Sequence, residues 1–72
     1  MFASPRQIGN TTKTVRNALG VTQRQLALAA GTGLRFVVDL ERGKATCEIG
    51  KTLDVLNALG VRVVLEAPVD QA

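Results

Sequence analysis

The chain has no histidine, tryptophan or tyrosine, and its 72 residues include one cysteine and two phenylalanines. Without histidine, the commonest side chain for proton transfer near neutral pH is missing. With Cys47 as the lone thiol, an internal disulfide is excluded and too few soft ligands exist for a zinc site. No nucleophile-base pair or metal cluster can be assembled from what remains, so neither an enzyme nor a cofactor is expected. No apolar run approaches the roughly 20 residues that span a bilayer, and the start of the chain, MFASPRQIGN, lacks the apolar stretch of a signal peptide. A cytoplasmic protein is therefore expected. The shortage of aromatics leaves Leu, Val, Ile and Ala to build the core, which suits closely packed helices. A chain of this length forms one domain at most and buries only about 60% of its unfolded surface, so a partner chain is expected to complete it.

What charge there is lies unevenly. Residues 1–44 hold seven basic side chains, Arg6, Lys13, Arg16, Arg24, Arg35, Arg42 and Lys44, against Asp39 and Glu41, whereas residues 45–72 hold Lys51 and Arg62 against Glu48, Asp54, Glu66 and Asp70. A first half at +5 and a second half at −2 imply that one face meets a polyanion and another does something else.

Periodicity predicts four helices. Residues 6–19 carry Ile8, Val15 and Leu19 at near-helical spacing, weakened by the β-branched Thr11 and Thr12 and closed by Gly20. Thr22 then caps a short second helix, with Gln25 three residues on completing a capping box, and Gly31 ends it. Only Thr32 and Gly33 separate that end from a third helix, Leu34 to Arg42, in which Val37 and Leu40 face inward. A glycine-containing link this short forces a sharp angle between two helices. Gly43 ends the third helix and Thr46 is the expected cap of a fourth, whose stripe is Ile49, Leu53, Leu56 and Leu59, closed by Gly60. The tail changes period: Val61, Val63, Leu65 and Ala67 alternate with Arg62, Val64 and Glu66 until Pro68, a strand pattern. One strand has no partner within the chain, so the same strand from a second copy across a two-fold axis is expected to pair with it.

The run Thr22-Gln23-x-x-Leu26-Ala27, then Gly31, then Leu40-Glu41-Arg42-Gly43-Lys44, resembles the Xre family of helix-turn-helix regulators, to which the phage lambda-type repressors belong. The resemblance spans roughly residues 8–60, with glycine, cap and apolar positions agreeing over two consecutive helices. The continuation Thr46-Cys47-Glu48-Ile49-Gly50-Lys51-Thr52-Leu53, then Val55-Leu56-x-Ala58-Leu59-Gly60 and a terminal Val/Leu strand, is similar to the HipB-type antitoxins. Those are dimers that repress their own operon and hold a HipA-type Ser/Thr kinase toxin. The resemblance implies an all-α, lambda-repressor-like bundle of four to five helices with a C-terminal β-strand that pairs across a dimer. The chain divides accordingly into a tail (1–5), a helix-turn-helix domain (6–60), a dimerisation strand (61–67) and a disordered tail (68–72).

In such a unit the second helix rests on the sugar-phosphate backbone and the third enters the major groove. Thr22 and Gln23 start the second helix, where free backbone N–H groups and the positive end of the dipole suit a phosphate; the family places a phosphate-binding glutamine at the position of Gln23. The resemblance implies base readers at Leu34, Arg35 and Asp39. Arg35 can bond bidentately to guanine O6 and N7, whereas Leu34, where the family commonly has glutamine, can only touch a thymine methyl. Asp39 either accepts from cytosine N4 or holds Arg35, four residues away on the same helical face, and the pairing role is preferred. Phe36 is read as a core residue. Arg42 and Lys44 flank the end of the third helix, where cations suit both the dipole and a phosphate. The resemblance also implies a partly buried structural ion pair between Arg16 and Glu41.

Other matches carry less. Gly31-Thr32-Gly33 follows a helix and not a strand, so a turn is preferred to a phosphate loop. The sequon Asn10-Thr11-Thr12 is idle in a chain without a signal peptide. Cys47 is read as a small buried residue in preference to a redox sensor. The expected function is a sequence-specific repressor on an inverted-repeat operator, acting as a homodimer and as the antitoxin of a kinase toxin. The alternatives are a stand-alone or phage-type repressor, and an interaction module that has lost DNA binding, which Leu34, Val38 and Asp39 favour and the basic first half disfavours.

Overall fold

A computed structural model describes residues 3–69, and the expected disordered tail lies outside the described residues from position 70 onward. Four helices follow in order: α1 (Pro5–Ala18), α2 (Gln23–Ala30), α3 (Leu34–Glu41) and α4 (Ile49–Ala58). The first begins one residue before its expected start because Ser4 caps it. The Ser4 hydroxyl accepts from the Gln7 N–H at 3.1 Å, the Gln7 side chain accepts from the Ser4 N–H at 3.0 Å, and Pro5 occupies the first turn. Thr22 and Gln25 make the same reciprocal pair at the head of α2, at 3.0 and 2.9 Å.

The cap of α4 differs from expectation. Thr46 lies in a turn, exposed; the cap is Glu48, whose carboxylate accepts from the N–H groups of Gly50 at 3.0 Å and Lys51 at 3.2 Å. An anion on the positive end of the helix explains the choice. Gly50 makes the room, since a methyl there would stand 2.8 Å from the Glu48 carboxylate.

The core is aliphatic: Leu26 and Ala27 of α2, Val37 and Leu40 of α3, and Val55 and Leu59 around α4 are buried, with Ile8, Val15, Val21, Phe36, Cys47 and Val61 packed against them. Thr12 is fully buried, yet its hydroxyl donates to the Ile8 carbonyl at 2.7 Å, so burial strands no polar group. Helices α1 and α3 approach so closely that a methyl at Gly9 would collide with the Leu40 carbonyl oxygen and stand 2.9 Å from that of Glu41. Nothing in the sequence pattern marked this contact.

The α4 stripe is only half inside. Leu56 and Leu59 are buried, but Ile49 is 75% and Leu53 41% exposed, while Thr52 and Val55 fill the inward positions. The buried arc of Thr52, Val55, Leu56 and Leu59 is rotated to one side of the expected stripe, so Ile49 and Leu53 fall outside it. The terminal strand is likewise not formed: among the described residues none is in a strand, and residues 61–67 carry no regular structure. Val61 is held by its N–H bonding to the Leu56 carbonyl at 2.9 Å; beyond it Val63, Val64 and Leu65 are 51%, 70% and 92% exposed. A strand exists only on a ladder, and one chain offers this segment none. No helix of the described residues is long and apolar enough to cross a membrane.

Candidate nucleic-acid interface

The angle between α2 and α3 originates at Gly31, which adopts a left-handed conformation (φ 72°) that a side chain would resist. Its N–H bonds to the Leu28 carbonyl at 3.2 Å and the next N–H, of Thr32, reaches back to Ala27 at 2.9 Å, closing α2 within a single turn. Thr32 and Gly33 are the whole link to α3. Val37 and Leu40 hold the inner side of α3 in the core, which leaves Arg35 and Arg42 exposed and Leu34, Val38 and Asp39 half-buried on its other positions.

Arg35 is open to solvent, with its side chain 75% exposed. Its Nη2 pairs with Asp39 Oδ1 at 3.1 Å, one helical turn on. The other carboxylate oxygen, Oδ2, faces Lys44 Nζ at 3.5 Å. Asp39 therefore touches a cation at either end of α3, the second of which sequence spacing did not indicate. Lys44 is brought back by the turn at Gly43 (φ 82°): the Lys44 N–H bonds to the Asp39 carbonyl at 3.1 Å, and that of Gly43 to Leu40 at 3.0 Å. A methyl on Gly43 would stand 3.1 Å from Arg6 Cα, so the start of α1 lies beside Arg42 and Lys44. Arg6 is thus a third basic residue at this end of α3, one that the sequence reading did not single out.

Behind this surface Arg16 of α1 grips Glu41 of α3. Nε stands 2.6 Å from Oε2 and Nη2 3.0 Å from Oε1, while Nη1 donates to the Val21 carbonyl at 2.9 Å. The side chains are 12% and 3% exposed. The hydrogen bond to Glu41 holds the Arg16 proton more tightly than usual, outweighing burial, which acts the other way.

Gln23, expected to face a phosphate, joins this network. Its Nε2 donates to Glu41 Oε1 at 3.2 Å and the residue is half-buried. The second hydrogen of the Gln23 side-chain amide nitrogen and the backbone N–H groups of Gln23 and Arg24, which as the first two helical residues have no intrahelical acceptor, remain to donate to an anion. Thr22, exposed, accepts the cap hydrogen bond from the Gln25 N–H and keeps its own O–H to donate. Among the described residues no group of three or more His, Cys, Asp or Glu side chains could hold a metal ion.

The chain is 48% identical, over 65 residues, to an uncharacterized HTH-type transcriptional regulator, y4mF, of Sinorhizobium fredii (strain NBRC 101917 / NGR234), an alignment that covers 90% of this chain and 86% of that protein. Its fold is similar to that of HipB in the HipB-O4 20mer complex and in the HipA-HipB-O2-O3 complex, in each case with a TM-score of 0.83, 25% sequence identity, and coverage of 94% of this chain and 96% of the other. No family profile matches the chain.

Proposed function

The chain belongs to the Xre-type helix-turn-helix transcriptional regulators, DNA-binding proteins that are not enzymes, and within that family we propose that it is a homodimeric repressor of an inverted-repeat operator and the antitoxin of a HipA-type kinase toxin. The observation that carries the DNA-reading part is the exposure of Arg35 on a helix whose opposite side is locked into the core. With Leu34 and Val38 beside it, Arg35 is the long hydrogen-bond donor on the front of α3, suited to guanine. Leu34 adds apolar contact, and Asp39 orients the guanidinium. Thr22, Gln23, Arg42 and Lys44 take phosphates and set the register.

Two copies would place two α3 helices about one DNA turn apart. The exposed Ile49 and Leu53 of α4 and the apolar segment Val63 to Leu65 are the surfaces a second copy would cover, the tail then finding its ladder in the partner's tail. The antitoxin role rests on the likeness to HipB over 94% of the chain. The direct test is selection of duplexes from a randomised pool by the purified protein, followed by titration of the selected duplex with and without the product of the adjacent gene. A two-fold consensus and a supershift are expected. A consensus without a supershift would leave a stand-alone repressor, and no consensus would leave an interaction module.

A further inference from the structure

The shared carboxylate of Asp39 has a consequence for how affinity and selectivity are divided. The side chain is 17% exposed, against 75% for Arg35 and 54% for Lys44, and offers Oδ1 to the first at 3.1 Å and Oδ2 to the second at 3.5 Å. Lys44 is also anchored at its backbone to the Asp39 carbonyl, so the fold places its side chain within reach of the carboxylate. The three groups together carry a single positive charge, and the negative one sits on the face that meets a polyanion. Any phosphate that takes the Lys44 ammonium must compete with Asp39 for it, and must also approach Asp39 itself.

We infer that Asp39 is a specificity-determining residue that works by opposition: it withholds Lys44 from phosphates, which lowers affinity for arbitrary DNA, and holds Arg35 in one pose, which raises affinity for the right base pair. On arbitrary DNA only the first effect is felt. On the operator, Arg35 remains with Oδ1 while Lys44 leaves Oδ2 for a phosphate, so the carboxylate keeps one counter-ion and the base-reading arginine keeps its brace. This rests on the assignment of Arg35 to base reading for the operator half, but not for the Lys44 half.

The test compares wild-type protein with Asp39→Asn, which keeps the shape and removes the charge, on a duplex selected by the wild type and on a random duplex at fixed salt. Asp39→Asn is expected to bind random DNA about two- to fivefold more tightly, the range set by exposed ion pairs. It should bind the selected duplex no better or worse than wild type, so the selected-to-random ratio falls. A merely structural Asp39 would weaken both duplexes with a lowered melting temperature, and a mere change of net charge would strengthen both equally; either result overturns the inference. A second arm uses random DNA alone, with Lys44→Ala made both in the wild type and in the Asp39→Asn variant. The inference requires Lys44→Ala to cost more in the Asp39→Asn variant than with Asp39 present, and equal costs would refute it. That arm stands even if Arg35→Ala proves to weaken both duplexes alike, which would remove the base-reading assignment and leave the competition for Lys44 measurable.

Discussion

Arg16 and Glu41, 25 residues apart in sequence, meet in a two-pronged ion pair with Nε 2.6 Å from Oε2, and the Glu41 side chain is only 3% exposed. Through this pair α1 is fastened to the end of α3, and through Gln23 the start of α2 is fastened to the same carboxylate. Removing one member leaves the other charge buried without its partner. Glu41→Ala is expected to lower stability by about 3 to 5 kcal/mol, a large share of what a domain this size possesses. Urea denaturation followed by circular dichroism measures it. Because pairing raises the Arg16 pKa, the contribution is fully present below the usual arginine pKa and is lost only as pH climbs through the raised one. Stability should therefore show no step attributable to Arg16 between pH 6 and about 10.

Gly9 is expected to behave against its helix propensity. In an open helix Gly→Ala adds up to about 1 kcal/mol of stability. Here the new methyl would strike the Leu40 and Glu41 carbonyls, so the backbones must part and Gly9→Ala should destabilise by about 1 to 3 kcal/mol. A melting temperature at or above wild type would show that α1 and α3 are not as close as described.

The dimer is testable by truncation. Deleting residues 61–72 removes the exposed Val63, Val64 and Leu65, and should give a monomer or an unfolded chain. Sedimentation that still finds a folded dimer would place the interface elsewhere.

Gln23 has two occupations to separate. As a phosphate contact, Gln23→Ala should weaken selected and random duplexes by the same factor and, because the side chain is uncharged, leave the dependence on salt unchanged. As a partner of Glu41 at 3.2 Å, it should also cost stability, about 1 kcal/mol for a single hydrogen bond. A changed base preference in this variant would contradict the phosphate assignment.

Much of the fold is written locally. Thr22 with Gln25, and the glycines at 31 and 43, announce where α2 and α3 start and stop, because caps and left-handed ends are decided within a few residues. Val37 and Leu40 likewise betray the inner side of α3. What stayed hidden depends on residues distant in the chain. Gly9 is silent until α3 lies against it, and the Gln23 amide turns inward only because Arg16 has already drawn Glu41 there. Sequence favours Thr46 as the α4 cap because threonine is a commoner cap than glutamate, whereas the advantage of Glu48 comes from the space at Gly50. Ile49 and Leu53 follow the helical period yet face outward, since period alone does not say whether an apolar residue meets its own chain or another. In the interface, the Arg35 to Asp39 spacing was readable as a helical turn, whereas Lys44 reaches Asp39 only after the chain reverses at Gly43.

The base-reading role proposed for Arg35, as against mere contact with a phosphate, is open to direct measurement. The measurement is the affinity of Arg35→Ala for a duplex selected by the wild-type protein and for a random duplex, at one salt concentration. A base reader should lose about 1 to 3 kcal/mol on the selected duplex, relax the preference at one base pair per half-site, and change little on random DNA. Asp39→Ala should reproduce part of that loss, and the double variant should discriminate no worse than Arg35→Ala alone. Equal losses on both duplexes for Arg35→Ala would reduce Arg35 to a phosphate contact and move specificity to DNA shape or to other side chains.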